Sequence, residues 1–499
     1  MRSAGMLAAA SVLLLLILAG CRNPTVVAYE PYESPGALEP NDPIYSDQWH
    51  YRQINMPGAW GIVADPQLLG SFSPVLVAVV DNGILQEGDI DDNLFFNAST
   101  HDGGYEFDVL SGGSDYGDTD PTDDENDSHG THVSGTIAAE TNNGTGVSGV
   151  GWDRLQVMAV RALRGEDNGT TEDVMRAVYY SAQSNQSGVE PPTRDSRVVN
   201  LSLGGAGIDP GLYEAIEYAV SEGITVIAAA GNTGAQVVYP AAFDNTIAVS
   251  AVTVREDLAS YSARGPEVDF SAPGGDEQAY VWSIVSSGDG DYAGYAGTSM
   301  ATPHVSGVVG LLYSYAPNLN QDAVYAILAN TAKDLGEPGH DEQFGHGLID
   351  AQAALEYLIN AGRDYPVQPR TLGGGAGGDA GGGGISSAAV SSLAADGAAR
   401  NRGRRPAQRR GAILPEAGAD LDETSIIIKL TESAETRRGV GAARSLAEGI
   451  GAAGAAAIGG RLYRIDLRGG GNVEAAIRGL GTHEDVEYAQ PNYRYRLIQ

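Results

Sequence analysis

The sequence predicts an α/β protein in which a large domain with a mostly parallel sheet is followed by a small α+β domain. Apolar runs at residues 75–80 and 198–203 are typical of strands buried on both faces. A helical pattern at residues 173–184 lies between these two runs. Alternation of strands and helices indicates a parallel sheet with helices on both sides. A sharp change in composition after about Asn360 separates the second domain.

Composition restricts the possible classes of protein. A chain of 499 residues is expected to form two or three domains, and a hydrophobic fraction of 42% is sufficient for a large core. With 64 acidic and 30 basic residues, the net charge of -34 argues against nucleic acid as a partner. The single cysteine excludes an intramolecular disulfide.

The amino terminus has the features of a secretory signal. A positive start is followed by an apolar run at 13–18 and by Leu-Ala-Gly-Cys at 18–21, which predicts a signal peptide over residues 1–21. The segment 18–21 resembles the lipobox of bacterial lipoproteins, which implies lipidation of Cys21. The protein would then cross the bacterial inner membrane and be lipid-anchored, at the periplasmic face of a membrane or at the cell surface. A plain signal peptide or a membrane anchor is the alternative, although the run is short for a membrane span. Residues 22–45 are predicted to be a tether.

Three polar side chains stand where catalytic groups are commonly found. Asp81 follows a predicted strand at the sheet edge where α/β proteins bind ligands, although Asp-Asn-Gly is also good turn chemistry. His129 opens a helix of small residues, a position suited to a general base. Ser299 lies in the first turn of an apolar helix, beside unpaired N–H groups, and is either a nucleophile or a helix cap.

These residues occur in the order Asp, His, Ser, which is the order in subtilisin. The segments around them resemble the three signature motifs of the subtilisin-like serine proteases: 79–83, 129–132 and 297–303. The resemblance extends over roughly residues 45 to 360. It implies a three-layer subtilisin-like fold for residues 46–360 and a serine endopeptidase that acts on protein or peptide substrates.

The resemblance also implies a role for each residue of the site. Ser299 would attack the peptide carbonyl, His129 would carry the proton to the leaving amine, and Asp81 would orient the imidazole. Asn232 would supply an oxyanion donor, and Gly231 would lie in the substrate-binding segment beside it.

Further family features are implied by the same resemblance. Ser202, Leu203 and Gly204 would form an edge strand that pairs with an extended substrate. Val238 falls in the pocket for the residue before the cut and favours medium-sized apolar side chains there. Structural calcium is usual in the family, and Asp89 and Asn142 lie in regions that match its ligand loops. The loop at 140–147 is one residue longer than the commonest form.

The end of the chain has a different organisation. Residues 361–422 are rich in Gly, Ala and Arg and are predicted to be a flexible linker. Residues 423–499 are predicted to form a small α+β ferredoxin-like domain, with strands at 425–430 and 461–467 and helices at 437–457 and 472–480. A final strand follows the second helix.

The final strand carries a second resemblance. Residues 486–493, Val-Glu-Tyr-Ala-Gln-Pro-Asn-Tyr, resemble the end of subtilase propeptides, the inhibitory domains that normally precede the protease. Joining Gln499 to about residue 38 would restore the usual order, so we expect a circularly permuted chain. An accessory module that binds substrate or cell wall is the alternative.

This order predicts a mechanism of control. Counting along the resemblance puts Ile498 or Gln499 at the pocket, so the C-terminal domain would act as a tethered intramolecular inhibitor. Cleavage of the linker, at the arginine cluster of residues 400–410, would release it. A protein that uses the protease fold as a catalytically silent binding scaffold is the main alternative to an enzyme.

Overall fold

The computed structural model describes these residues: 32–84, 88–95, 106–108, 128–163, 169–183, 192, 194–286, 291–364, 390–391, 411–415, 419–459, 461–468 and 472–498. We call residues 32–364 the large domain, residues 411–498 the small domain, and residues 494–498 the tail. No helix among the described residues is long and apolar enough to cross a membrane.

The regular elements alternate along the large domain and then along the small one. In chain order the strands are β1 (Val75–Asp81), β2 (Glu106–Asp108), β3 (Leu155–Arg161), β4 (Gly169–Thr170), β5 (Val198–Leu201), β6 (Leu203–Gly204), β7 (Thr225–Ala229), β8 (Ile247–Val252), β9 (Phe270–Pro273), β10 (Val281–Ile284), β11 (Tyr292–Tyr295), β12 (Gly411–Ala412), β13 (Leu421–Leu430), β14 (Gly454–Gly459), β15 (Leu462–Asp466) and β16 (Val486–Leu497). The helices are α1 (Trp49–Gln53), α2 (Met56–Val63), α3 (His129–Ala138), α4 (Thr171–Ser181), α5 (Pro210–Ser221), α6 (Thr298–Tyr315), α7 (Gln321–Thr331), α8 (Ala351–Asp364), α9 (Glu432–Arg438), α10 (Val440–Gly449) and α11 (Val473–Leu480). Three short 3-10 helices occupy Tyr45–Asp47, Leu69–Ser71 and Asp91–Asn93.

The large domain has the predicted three layers. Its seven-stranded sheet has the order β2-β3-β1-β5-β7-β8-β9, and every pair in it is parallel. All seven residues of β1 are buried, and alternate ones point to opposite faces. Val77 and Val79 join a core with α3 and α6, whereas Ala78 and Val80 join a core with α4 and α5. Helices therefore cover both faces of the sheet, as the sequence predicted.

The small domain is built on an antiparallel sheet with the order β16-β13-β15-β14, and the short strand β12 is added beside β16. Ile426 and Ile428 of β13 point to one face and pack in a core with α10 and α11. Ile427 points to the other face and joins the core that contains α4 and α5 of the large domain. The sheet is thus shared between the two domains.

One predicted helix of the small domain is wrong. Residues 437–457 were expected to be a single helix, but they contain the end of α9, all of α10 and the first part of strand β14. Gly451, which has a positive φ of 71°, follows α10. Beyond it the alanine-rich segment of β14 is hydrogen-bonded to β15, and this ladder outweighs the intrinsic helix preference of alanine. The element order is therefore β-α-β-β-α-β, with two short helices in the first connection.

The predicted boundaries of the tether and the linker also need correction. The tether was expected over residues 22–45, but Tyr32 is buried and its hydroxyl donates to Asp65 at 2.9 Å. The folded part therefore includes at least the second half of that segment. The linker was expected over residues 361–422, but α8 continues to Asp364 and β13 begins at Leu421. The signal segment 1–21, with Cys21, lies outside the described residues, as does most of the linker.

Candidate active site

Helix α6 holds Ser299 in a buried position within the large domain. All eighteen residues of this helix are buried, and Ser299 is the second of them. Pro303 has no N–H to donate to the Ser299 carbonyl four residues earlier. The Ser202 hydroxyl donates to that carbonyl instead, at 3.0 Å. The proline therefore couples the first turn of α6 to the segment at residues 202–204, which was predicted to bind substrate.

Asp81 and His129 meet between the end of β1 and the start of α3. His129 Nδ1 lies 2.9 Å from Asp81 Oδ1, and both side chains are buried. The Asn82 side chain accepts a hydrogen bond from Gly130 N at 2.9 Å, which joins the two elements at a second point. An ionised carboxylate at Nδ1 selects the tautomer that leaves Nε2 able to accept a proton. The pair can therefore serve as an oriented general base.

A peptide carbonyl from the tail lies against Ser299 and Asn232. Asn232 Nδ2 donates to the carbonyl oxygen of Ile498 at 2.8 Å, and the Ser299 hydroxyl makes a short hydrogen bond to the same oxygen. The Ser299 hydroxyl also lies 3.0 Å from the Ser202 carbonyl oxygen. A donor fixed beside a carbonyl oxygen can stabilise the negative charge that develops there during nucleophilic attack.

Thr298 orients the Asn232 side chain, and the sequence did not identify it. Its backbone N–H and its hydroxyl both donate to Asn232 Oδ1, at 2.9 and 2.8 Å. Gly231 N in turn donates to the Thr298 hydroxyl at 3.1 Å. These bonds leave the Asn232 amide nitrogen directed at the Ile498 carbonyl. Thr298 precedes the predicted nucleophile directly, which is the only signal that sequence could have offered.

Two glycines allow this close approach. A Cβ at Gly297 would lie 2.9 Å from Asn232 Nδ2 and 3.3 Å from the Ile498 carbonyl oxygen. At Gly204 a Cβ would lie 2.7 Å from Ile498 Cδ1 and 2.5 Å from Val238 Cγ2. The Ile498 side chain therefore lies beside Gly204 and Val238, in the pocket predicted for the residue before the cut.

The tail runs through the site as an added strand. Arg494 and Tyr495 pair antiparallel with Thr170 and Gly169 of β4. Arg496 and Leu497 then pair antiparallel with Gly204 and Leu203 of β6, the predicted edge strand. A two-residue strand such as β4 gives no recognisable pattern in the sequence. Counting had offered Ile498 or Gln499 for the pocket, and the structure puts the Ile498 carbonyl at Asn232, while Gln499 lies outside the described residues.

The residues predicted to bind calcium lie in two neighbouring segments, since Asn142 belongs to the loop at residues 140–147 and Asp89 contacts that loop from residues 88–90. Asp89 accepts hydrogen bonds from Asn143 Nδ2 and Val147 N, both at 2.8 Å. The Asn142 side chain instead accepts from Asn41 N at 3.2 Å. Within the described ranges there is no group of three or more His, Cys, Asp or Glu side chains placed to hold a metal ion.

Asp42 was not identified from the sequence, although it contacts this loop from the start of the large domain. Its carboxylate accepts from the backbone N–H groups of Asn142, Asn143 and Gly144 at 2.8 to 3.1 Å. Burial, together with the nearby charges of Asp42 and Glu140, raises the pKa of Asp89 to about 7. Three carboxylates, of which Asp42 and Asp89 are buried, therefore lie close together around this loop.

Three buried histidines lie close to the site but outside it. His50 Nδ1 is 2.8 Å from His304 Nε2, and His132 stacks on Tyr295 with ring centroids 4.5 Å apart. Burial lowers the pKa of His132 to about 3 and that of His304 to about 4, and it lowers that of His50 well below its ordinary value. These side chains are therefore neutral at physiological pH.

Comparison with known proteins identifies the family of the chain. The profile of the Peptidase_S8 subtilase family matches residues 73–347, more than half of the chain. The chain belongs to the subtilase family. Asp81, His129, Asn232 and Ser299 all fall within the matched segment.

Individual relatives match about two thirds of the chain. It is 36% identical over 352 residues to an extracellular protease of Xanthomonas campestris, a match that covers 65% of this chain and 58% of the relative. It is 33% identical to thermitase of Thermoactinomyces vulgaris, with 64% of this chain and 99% of thermitase covered. A solved protease structure from Pseudoalteromonas arctica aligns with a TM-score of 0.56 at 32% identity and covers 64% of this chain and 99% of its own. The chain spans little more than half the length of the Xanthomonas protein and of a halolysin-like protease of Natrialba magadii, of which 52% is covered.

Proposed function

We propose that this protein is a serine endopeptidase that hydrolyses protein or peptide substrates through Asp81, His129 and Ser299. The observation that carries the proposal is the Ile498 carbonyl, which is held between the Ser299 hydroxyl and the Asn232 amide. Ser299 Oγ attacks such a carbonyl, and His129, oriented by Asp81, takes the proton and passes it to the leaving amine. Asn232 Nδ2 and the Ser299 backbone N–H stabilise the oxyanion. Water then hydrolyses the acyl-enzyme by the same steps.

The small domain is proposed to be an intramolecular inhibitor of this site, in a circularly permuted order. The tail supports this, because it fills the cleft as a substrate would. Two amide side chains of β16 give further support, because each accepts a hydrogen bond from the first turn of a large-domain helix. Gln490 Oε1 accepts from Gly211 N of α5 at 3.2 Å, and Asn492 Oδ1 accepts from Glu172 N of α4 at 3.3 Å. Such contacts satisfy N–H groups that a helix leaves unpaired.

Specificity and location are two further parts of the proposal. The position of Ile498 beside Val238 favours medium-sized aliphatic side chains before the cut. Secretion is supported by the Xanthomonas relative, which is named an extracellular protease. The lipid anchor at Cys21 rests on the sequence alone.

We also propose a structural calcium ion at the loop of residues 140–147. Carboxylate and amide oxygens are suitable calcium ligands. Asp42 and Asp89 are the residues that would hold the ion, because both contact this loop. A cation would also stabilise the ionised Asp89 carboxylate, whose pKa is raised first by burial and then by the charges of Asp42 and Glu140. Without calcium, the raised pKa means that the unfolded state releases this proton first, so stability falls as pH rises from about 4 to 7. Calcium should therefore raise the melting temperature relative to EDTA, and by more at pH 8, where Asp89 is ionised, than at pH 5. Equal melting temperatures with and without calcium at pH 8 would contradict the site.

The test of the protease compares three preparations that lack residues 1–21: the intact chain, its Ser299→Ala variant and the intact chain after limited proteolysis of the linker. Casein hydrolysis should appear or rise strongly on linker cleavage, and Ser299→Ala should lower the activity of the cleaved chain by at least about 10⁴-fold. Full activity of the intact chain would be consistent with the proposed protease activity but would contradict inhibition by the small domain. If no preparation hydrolyses casein and a fluorophosphonate does not label Ser299, the result would favour a catalytically silent binding scaffold.

A further inference from the structure

Asp209 is a fully buried carboxylate with no part in the proposed chemistry. It precedes α5, and its Oδ1 accepts a hydrogen bond from Leu212 N at 3.0 Å, as a helix cap does. Capping alone does not require a carboxylate, because serine and asparagine cap helices equally well. Burying the charge is costly unless further donors reach it. The identity of those donors therefore indicates what else Asp209 does.

Two of the further donors come from the small domain and the tail, and one comes from the large domain. Gln490 Nε2 donates to Asp209 Oδ1 at 2.7 Å, and the Tyr495 hydroxyl lies 3.4 Å from Asp209 Oδ2. The Thr171 hydroxyl makes a short hydrogen bond to the same Oδ2. Burial, together with the charge of Asp209, raises the pKa of Tyr495 well above its ordinary value, so the hydroxyl keeps its proton to donate.

Tyr495 occupies a defined position relative to the reacting carbonyl. When Ile498 is counted as the first residue before the cut, Tyr495 is the fourth. Its ring is completely buried in the same apolar cluster as Leu203 and Leu212. A Cβ at Gly205 would lie 3.3 Å from two atoms of the ring. The pocket thus has apolar walls and one carboxylate where the phenol oxygen ends.

We propose that Asp209 makes this cleft selective for tyrosine over phenylalanine at the fourth residue before the scissile bond. The inference rests on the proposed protease function and adds a substrate class: extended peptides with a phenol donor at that position and an aliphatic residue at the first. A phenylalanine fills the same apolar walls but leaves the Asp209 carboxylate short of a donor in a dry pocket. Sites built to hydrogen-bond a substrate hydroxyl discriminate strongly against analogues that lack it.

The experiment uses a chain from which only residues 495–499 have been deleted, so that the pocket is open while the rest of the small domain is retained. Two peptide substrates, Tyr-Arg-Leu-Ile and Phe-Arg-Leu-Ile with the same reporter after Ile, differ by one oxygen atom. We expect kcat/KM to be about 10-fold or more higher for the tyrosine peptide. Asp209→Asn should reduce this ratio, and Asp209→Ser, which retains a helix cap, should bring it close to one. Asn320→Ser, which changes the cap of α7, is the matched control and should leave the ratio unchanged.

A second measurement does not depend on the deletion or on turnover. In the full chain, Tyr495→Phe removes only the hydroxyl from the tail and should increase the rate of Ser299 labelling by a fluorophosphonate about 10-fold. The same substitution should have little effect when Asp209 is already serine, because the two residues then no longer interact.

The outcomes separate this inference from the proposed function. Equal hydrolysis of the two peptides, or equal effects of Tyr495→Phe in both backgrounds, overturns the role of Asp209 and leaves the protease intact. Absence of both hydrolysis and labelling in every form overturns the protease, and the inference with it.

Discussion

The two sheets of the molecule are covered in different ways. The parallel sheet of the large domain has helices of its own domain on both faces, α3 and α6 on one side and α4 and α5 on the other. The sheet of the small domain has its own helices, α10 and α11, on one face, and its second face packs in the core that contains α4 and α5. The large domain is therefore complete without the small one, whereas the small domain depends on the large one to bury half of its sheet.

The most demanding test of this difference uses two neighbouring isoleucines of β13. Ile427→Ala removes methyl groups from the shared core and should weaken docking by about 3 kcal/mol. Ile428→Ala removes the same atoms from the small domain's own core and should cost its folding a similar amount. Ser299 labelling should accelerate in both variants, but only Ile428→Ala should reduce hydrogen-exchange protection in strands β13 to β15 while the domains remain docked. Identical exchange patterns would contradict the assignment of the two faces.

A smaller effect is expected from the ion pair across the interface. Arg464 of β15 lies 2.8 Å from the carboxylate of Glu172, which is fully buried at the start of α4. Arg464→Ala should weaken docking, since it removes one of the two cations that pair with the buried Glu172 carboxylate. The loss should be limited to about 2 kcal/mol, because Arg176 remains 2.8 Å from Glu172. The rate of Ser299 labelling in the intact chain measures this loss.

The control for this charge substitution is Arg478→Ala. Arg478 pairs with Glu474 within α11, where both side chains are more than half exposed. Exposed pairs contribute little, so labelling should be unchanged. If both substitutions accelerate labelling equally, the interface pair has no special role.

Acid should act mainly on the large domain. The unfolded chain protonates its histidines near pH 6.5, whereas folding lowers the pKa of His132 to about 3 and that of His304 to about 4. The unfolded state therefore binds more protons below pH 6.5, and each histidine should lower the unfolding free energy by up to about 1.4 kcal/mol per pH unit down to its folded pKa. Calorimetry between pH 8 and pH 4 with calcium present, so that the opposing titration of Asp89 is suppressed, should show a constant melting temperature above pH 6.5 and a steep fall below it. In the described part of the small domain the single histidine, His483, is exposed, so exchange protection should be lost first in the large domain.

Local sequence patterns were sufficient to predict most of the strands and helices of the large domain. Strand β1 was predicted at residues 75–80 and ends one residue later, because continuous apolar runs and the Asp-Asn-Gly turn mark both limits. The three motifs also identified Asp81, His129 and Ser299, and the structure brings Asp81 and His129 into a hydrogen bond. The motifs identify these three side chains because each lies at the end of a strand or at the start of a helix, where the local sequence is distinctive.

The features that were missed depend on contacts between distant parts of the chain. Asp42 is hydrogen-bonded to Asn142, which lies 100 residues later in the chain, and Asp209 contacts Tyr495, which lies 286 residues later. Ser202 replaces the hydrogen bond lost at Pro303 only because β6 lies beside α6. Strand β14 was read as a helix because alanine prefers a helix unless a neighbouring strand is available. Local sequence patterns indicate the conformational preference of a segment, but they do not show which distant residues it will contact in the folded protein.

Strand β16 has a mechanical consequence. The same twelve residues are bonded first to β13 and β12 of the small domain and then to β4 and β6 of the large one. A force applied at Leu497 perpendicular to the strand peels the pairs with β6 and β4 one at a time, whereas a force along the strand shears all of its ladders at once. The tail should therefore dissociate from the cleft at low force when it is pulled perpendicular to the strand, and only at higher force when it is pulled along the strand.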